Sequence, residues 1–345
     1  MLKTKYHLSD VQKNNKSFKS FGTFICAGGS SIGYRLAGFN HLGGVEIDEK
    51  CAKLYKKNLN PKYLFIEDIR DFNKRVDLPE ELYNLDLLDG SPPCSTFSVC
   101  GNRDKAWGKK KKFTEGQKSQ TLDDLVFVYC DTILKLKPKV AILENVSGII
   151  KGNAKIYSKK IIEKLQAGGY SVQIFSLNSS LMLVPQNRQR VFFIAHRVDL
   201  KFPKLKLDFK NPLIRFGLVR DKNLGKPLYN YEQKLLNYVE KGDKTYADIA
   251  KRKLGKDSYF NCRIVDDDKV CPTIISGGSY TRFADKLRFT DNDFINCGAF
   301  PQDYDFMGHS VQYFIGMSVP PLMTAHIAKE IIEQWLKVEN QSQQN

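Results

Sequence analysis

Residues 23–48 read TFICAGGSSIGYRLAGFNHLGGVEID. The apolar run TFICA (23–27) predicts a strand. Gly28-Gly29-Ser30-Ser31 breaks it and opens a helix running through Tyr34 to Ala37. HLGGVEID (41–48) predicts a second strand that ends in acid, and spacing through Cys51, Leu54 and Tyr55 continues as a helix. The alternation then repeats. KYLFIEDI (62–69) and LYNLDLLDG (82–90) predict a third and fourth strand, Leu122–Leu136 a long helix, and KVAILENV (139–146) a fifth strand. Strands alternating with helices predict an α/β fold, a doubly wound, mostly parallel sheet with helices on both faces.

The texture changes after residue 196, where apolar runs shorten and Lys and Asn rise. Residues 1–196 are expected to form one domain and 197–308 a smaller, mixed one. LMTAHIAKEIIEQWLKV (322–338) is again an amphipathic helix, expected to return to the first domain, which 309–345 would complete.

With 345 residues and a formal charge of +16, the chain suits a polyanionic partner, nucleic acid above all. The plain alternative is a Lys-rich solvated surface. No apolar run is long enough to span a bilayer, and the basic N-terminus lacks the apolar core of a secretory signal. Of eight cysteines no two are spaced C-x-x-C, and the five histidines are scattered, so no metal site is expected. The cysteines read as reduced thiols of a cytoplasmic protein, most of them small buried hydrophobes.

Chemistry concentrates at the strand ends. Ala27-Gly28-Gly29 lets a ligand approach backbone, but Ser30 breaks the dinucleotide pattern G-x-G-x-x-G. Glu46, eighteen positions after Gly28, is placed to accept from ribose hydroxyls, and Asp68 from an adenine amino group. Either acid would serve equally as a helix cap. In DLLDGSPPCSTFSVCG (86–101) two prolines hold Cys94 at the carboxyl edge of the sheet. A thiol so placed is a candidate nucleophile, whereas a bare Pro-Cys pair is usually structural.

The string GSPPCSTFS resembles the nucleophile motif of cytosine-5 DNA methyltransferases of the bacterial or phage type, and the resemblance spreads along the chain. FICAGGSSIG resembles that family's cofactor loop, VEIDEKCAKLYKKNLN its second motif and EDI (67–69) its third. LENV (143–146) matches Glu-Asn-Val, and VPQNRQRVFFIA (184–195) matches Gln-x-Arg-x-Arg. CPTIISGG (271–278), RFTDNDFINCGAFP (288–301) and IGMSVPPLMTAHIA (315–328) resemble the closing motifs, all in the family's order. Three features depart from it. Cys26 replaces a loop Gly, Met317 replaces the Asn of Gly-Asn-Ser-Val, and Asn292-Asp293 replaces Arg-Glu. A side chain at Cys26 is expected to crowd the cofactor.

The resemblance implies S-adenosylmethionine as cofactor, held by Phe24, Ala27, Gly28, Gly29, Glu46, Ile47, Asp68, Ile69 and Pro93. It implies that Cys94 adds to carbon-6 of a flipped-out cytosine in duplex DNA, making carbon-5 nucleophilic. Glu144 would hold or protonate ring N3. Arg188 and Arg190 would contact O2 and orient Glu144; alternating on a strand, both would face one side. Residues 101–120 carry seven basic against two acidic side chains, interleaved with Trp107 and Phe113, and suit a phosphate-gripping loop. Residues 197–308 would read the sequence. The implied partners are duplex DNA and a cognate restriction endonuclease, with no membrane, for a monomeric cytoplasmic enzyme. Two alternatives stand beside this reading. One is the same chemistry on tRNA, whose enzymes carry a Cys-Phe-Thr signature not found here. The other is an inactive DNA-binding protein on the same scaffold.

Overall fold

The computed structural model describes residues 2–12, 18–93 and 124–342. Its contacts divide the chain into two compact units. The larger holds residues 11–177, 189–208 and 324–345; the other holds 1–10, 178–188 and 209–323. Along the chain the strands are β1 (Phe18–Thr23), β2 (Phe39–Glu46), β3 (Tyr63–Ile66), β4 (Leu87–Gly90), β5 (Val140–Val146), β6 (Tyr170–Asn178), β7 (Gln186–Asn187) and β8 (Gln189–Arg197), then β9 (Cys262–Val265), β10 (Cys271–Pro272) and β11 (Ser279–Arg282). The helices used below are α1 (Leu8–Gln12), α2 (Gly29–Ala37), α3 (Glu49–Leu59), α4 (Ile69–Lys74) and α5 (Leu125–Leu136).

In the larger unit, seven strands among the described residues form one sheet of order β3-β2-β1-β4-β5-β8-β6. β1 through β5 pair in parallel, and β8 runs antiparallel to β5. The sheet is therefore mostly parallel and doubly wound, as the alternation implies. Its central strands β4 and β5 are buried on both faces, which is why they read as apolar runs rather than alternating ones. From β1 the chain first winds outward through β2 and β3, then returns to place β4 on the other side of β1. That reversal creates a crevice beyond the carboxyl ends of β1 and β4, where open α/β sheets bind ligands.

Local chemistry sets the helix ends. Asp48 caps α3 by accepting from Lys50 and Cys51 N–H groups, and Asn60 stops it in the left-handed region at φ 40°. Cys51, Leu54, Tyr55 and Leu59 form the buried stripe of α3. On α5, Leu125, Val126, Tyr129, Cys130, Ile133 and Leu136 play the same part. They pack in one core with Phe21, Leu88, Leu143 and Phe193 of the sheet. The C-terminal segment closes this unit: Trp335 stacks on Phe202 at 5.4 Å and donates to the Pro203 carbonyl, while Lys139 pairs with Glu339 at 2.9 Å.

Several boundaries differ from the sequence reading. The first strand lies at Phe18–Thr23, not 23–27. Phe24 and Cys26 adopt positive φ of 55° and 46°, so the chain turns where an apolar run predicts extension. Residues 80–83 form a 3-10 turn before the short β4, so the fourth strand is only half as long as LYNLDLLDG predicts. The alternation also continues through a helix at Lys155–Ala167 into β6.

The other unit contains two small parallel pairs, β7–β10 and β9–β11. A satellite core of Leu235, Leu236, Tyr246, Ile249, Cys262 and Ile264 lies within it. Asp293, one of the departures from the family pattern, caps the helix Asp291–Gly298 and takes a two-pronged hydrogen bond from buried Arg282 at 2.8 and 2.6 Å. Such a pair is costly to break from one side and so holds its segments in register. Among the described residues no helix is long and apolar enough to cross a membrane, and no three His, Cys, Asp or Glu side chains form a metal-holding group.

Candidate active site

At the crevice, residues 24–28 turn sharply. Gly28 N–H donates to the Ile25 carbonyl at 2.8 Å, and Gly28, at φ 77°, caps α2. A Cβ on Gly28 would lie 2.7 Å from Leu59 Cδ1 and 2.9 Å from Tyr55 Cδ2 in α3. Only glycine satisfies both the conformation and the packing. Gly28→Ala is expected to destabilise the protein by about 1–3 kcal/mol in urea denaturation; a midpoint equal to wild type would refute this account of the turn.

Glu46 ends β2 beside that turn. Its carboxylate accepts the Cys26 N–H at Oε2 and the Asp48 N–H at Oε1, each at 2.9 Å. Burial pushes its carboxyl up, against the downward pull of those backbone donors. The Ile47 N–H also reaches the carboxyl, so the group is held in place with acceptor capacity left for a hydroxyl. Cys26, at the loop position that is usually Gly, thus contributes its backbone to Glu46, and its side chain is half-buried.

Asp68 at the end of β3 is engaged otherwise. Its Oδ1 caps α4 by accepting from Arg70 N–H at 2.8 Å, and its Oδ2 takes the Arg70 guanidinium at 3.0 Å. Ile69 is buried in the first turn of α4, and Ile47 is half-buried next to Glu46.

β4 ends at buried Gly90, where any Cβ would strike the Tyr129 ring at 2.4 Å. Tyr129 fixes this strand end by donating to the Leu88 and Ile142 carbonyls at 3.0 and 2.8 Å. Ser91, Pro92 and half-buried Pro93 follow. Cys94 and the basic segment 101–120 lie outside the described residues.

On the neighbouring strand, Glu144 is 8% exposed and meets Arg190 Nε at 3.0 Å through Oε1. The register explains the contact. Glu144 lies opposite Phe192 and Val146 opposite Arg190, so Glu144 and Arg190 are diagonal neighbours on one face. Arg188 is placed differently. It lies in the break between β7 and β8, so the same-face argument from alternation does not apply to it. Its guanidinium donates to the Ile274 and Gly316 carbonyls at 3.0 and 3.1 Å. Arg190 is brought to the glutamate.

One buried acid escaped the sequence reading. Asp89, 4% exposed in β4, accepts from the Tyr34 hydroxyl at 2.7 Å and from the Ser30 hydroxyl. Burial first, then the charge of Glu144, push its carboxyl up to about 7. The only local signal for it was an acid inside an apolar strand.

A small-residue turn and a held acid at the switch point of such a sheet place the fold among the Rossmann-like methyltransferases. The chain belongs to the C-5 cytosine-specific DNA methylase family, whose model matches residues 18–333, and its activity is that of a DNA cytosine-5 methyltransferase. It is 29% identical to the type II methyltransferase M.Sau96I of Staphylococcus aureus, over 94% of this chain and 78% of that protein. It is 25% identical to M.NgoFVII of Neisseria gonorrhoeae, over 94% and 89%. Its fold matches that of a putative DNA modification methyltransferase from an Escherichia coli prophage, with a TM-score of 0.65, 19% identity and coverage of 92% and 99%. It also matches Spodoptera frugiperda DNMT2, with a TM-score of 0.65, 16% identity and coverage of 92% and 100%.

Proposed function

We propose that this enzyme uses S-adenosylmethionine to methylate carbon-5 of a flipped-out cytosine within a specific duplex sequence, through a covalent adduct of Cys94 with carbon-6. The observation that carries the proposal is the Glu144–Arg190 pair, one residue beyond the level of Gly90 on the adjacent strand, at the edge where the chain enters Pro92-Pro93-Cys94. When bound, S-adenosylmethionine supplies an electrophilic methyl group. Gly28 and Gly29 would let it approach the backbone, Glu46 would accept from its ribose, and Phe24, Ala27, Ile47, Ile69 and Pro93 would line its site. Asp68 would accept from the adenine amino group with the lone pairs its cap and Arg70 leave over.

Cys94 adds to carbon-6 as a thiolate while Glu144 holds or delivers a proton at N3, so that ring charge does not build up. Arg190 fixes the Glu144 carboxyl, and Arg188 would contact the O2 oxygen. Cys94 leaves once the carbon-5 proton is lost. The base must leave the stack for these groups to reach it.

Residues 197–308 are proposed to select the sequence, with residues 101–120 gripping phosphates. A single chain suffices for the reaction, so a cytoplasmic monomer is proposed, with the type II relatives' names pointing to a restriction endonuclease of matching specificity as partner. The test supplies labelled S-adenosylmethionine with mixed-sequence duplex DNA or with tRNA. Label at carbon-5 of duplex cytosine is expected; label in tRNA alone would overturn the DNA reading, and binding without label would favour the inactive scaffold. DNA affinity is also expected to fall about 10²-fold or more between 50 and 200 mM salt, as counterion release requires. A flat titration would remove residues 101–120 from phosphate binding.

A further inference from the structure

Glu144 carries two opposed demands. Its proposed role needs a proton on the carboxyl, yet Arg190 at 3.0 Å favours the carboxylate. A glutamate paired with arginine alone would stay ionised well below neutral pH. Burial of Glu144 opposes Arg190, and a neighbouring negative charge would add to that.

The sheet register supplies one. Asp89 pairs with Ile142 across the parallel β4–β5 ladder, and Glu144 is two residues beyond Ile142. Directly paired residues, and residues two apart, share a face. Asp89 and Glu144 therefore point to the same side of the sheet, on adjacent strands, both buried.

We propose that Asp89 is a positioning residue for methyl transfer, whose buried charge acts across the β4–β5 pair to raise the proton affinity of Glu144 against the pull of Arg190. The inference rests on the proposed role of Glu144. Among the described residues, the groups facing Asp89 are Ser30 and Tyr34 from α2, Tyr55 from α3, Tyr129 from α5 and Glu144 from β5. None is a cation. Those facing Glu144 include Arg190 from β8, Asp89 from β4 and Tyr34 from α2. Tyr34 and Ser30 donate to Asp89, which favours its ionised form. Burial opposes that, and the balance leaves Asp89 titrating near neutral pH. The two carboxyls then titrate as a pair rather than as separate groups. Charge on either carboxyl raises the proton affinity of the other, so the pair keeps one shared proton to a higher pH than Glu144 beside Arg190 alone would. Asp89 lies five residues before Cys94, so the same strand carries this charge and leads to the nucleophile.

The experiment is the pH dependence of single-turnover methyl transfer by Asp89→Asn, on duplex DNA at saturating S-adenosylmethionine. Asparagine keeps an oxygen acceptor for Tyr34 and Ser30 and removes only the charge. With its negative neighbour gone, Glu144 loses its proton earlier, and the alkaline limb is expected to move down by about one pH unit. Thermal melting of the variant should stay cooperative. A uniform rate loss with the limb unmoved would assign Asp89 a merely structural role and overturn the proposal. If Asp89→Asn fails to fold, Tyr34→Phe serves instead. Losing that donor keeps Asp89 neutral to higher pH, so the limb should move in the same direction by a smaller amount; an unmoved limb overturns the proposal here too. Glu144→Gln separates the two layers. Wild-type rate and limb in Glu144→Gln would remove the role of Glu144, and with it this inference. A large rate loss there, with Asp89→Asn unmoved, would remove the inference alone.

Discussion

Cys94→Ser is expected to lower methyl transfer by at least about 10⁴-fold, the scale on which loss of a covalent nucleophile is felt. Carbon-5 of cytosine does not attack a methyl sulfonium until something adds at carbon-6. A thiol is a few per cent ionised at neutral pH and intrinsically nucleophilic, whereas a serine hydroxyl without a base is neither. The measurement uses duplex DNA carrying 5-fluorocytosine. Fluorine cannot leave as a proton does, so turnover stops at the adduct. Wild type should give a denaturant-stable complex that needs S-adenosylmethionine, and Cys94→Ser should give none. The variant should melt with wild type, because the change is a near-isosteric swap of sulfur for oxygen. A persistent adduct in Cys94→Ser would move the nucleophile to another residue. No adduct from wild type on any duplex or RNA would mean an inactive scaffold.

The second large effect belongs to the ion pair. Glu144→Gln keeps the side chain's shape and removes its proton donor, and is expected to slow transfer by about 10²–10⁴-fold, the range for a positioned general acid. Trapping on the 5-fluorocytosine duplex should slow in parallel, because proton delivery to N3 accompanies thiolate addition. Arg190→Ala acts on the same group from the other side. It leaves Glu144 buried without its guanidinium, and unpairing one member of a buried ion pair is costly in itself. Arg190→Lys should not restore the rate, since an ammonium lacks the planar fork that sets the carboxylate's orientation. Glu144→Gln trapping DNA at the wild-type rate would take Glu144 out of the addition step. Arg190→Ala with unchanged kinetics would do the same for Arg190.

Much of the site was legible because its chemistry is written locally. The glycine pair after a strand, the acid at the next strand's end and the Pro-Pro-Cys turn each occupy a few consecutive residues. Their order along the chain carried the family. The misplaced first strand shows the limit of such reading. TFICA has the composition of a strand, yet the turn it enters requires positive φ at Phe24 and Cys26, which composition does not reveal. Asp68 shows another limit. Its place at a strand end was clear from the sequence, but its engagement by Arg70 depends on a helix start that only the fold displays.

The sequence by itself determined the class of fold and the family, and named a candidate nucleophile and acid, because periodicity and short motifs are local. Only the tertiary structure set Arg190 against Glu144. The break between β7 and β8 takes Arg188 off the strand, and antiparallel pairing with β5 sets Arg190 diagonally from the acid. Only the tertiary structure singled out Asp89, whose donor Tyr34 is 55 residues away in the chain. Strand pairing and burial join residues far apart in sequence, and a carboxyl's proton affinity follows from those neighbours rather than from its place in a motif.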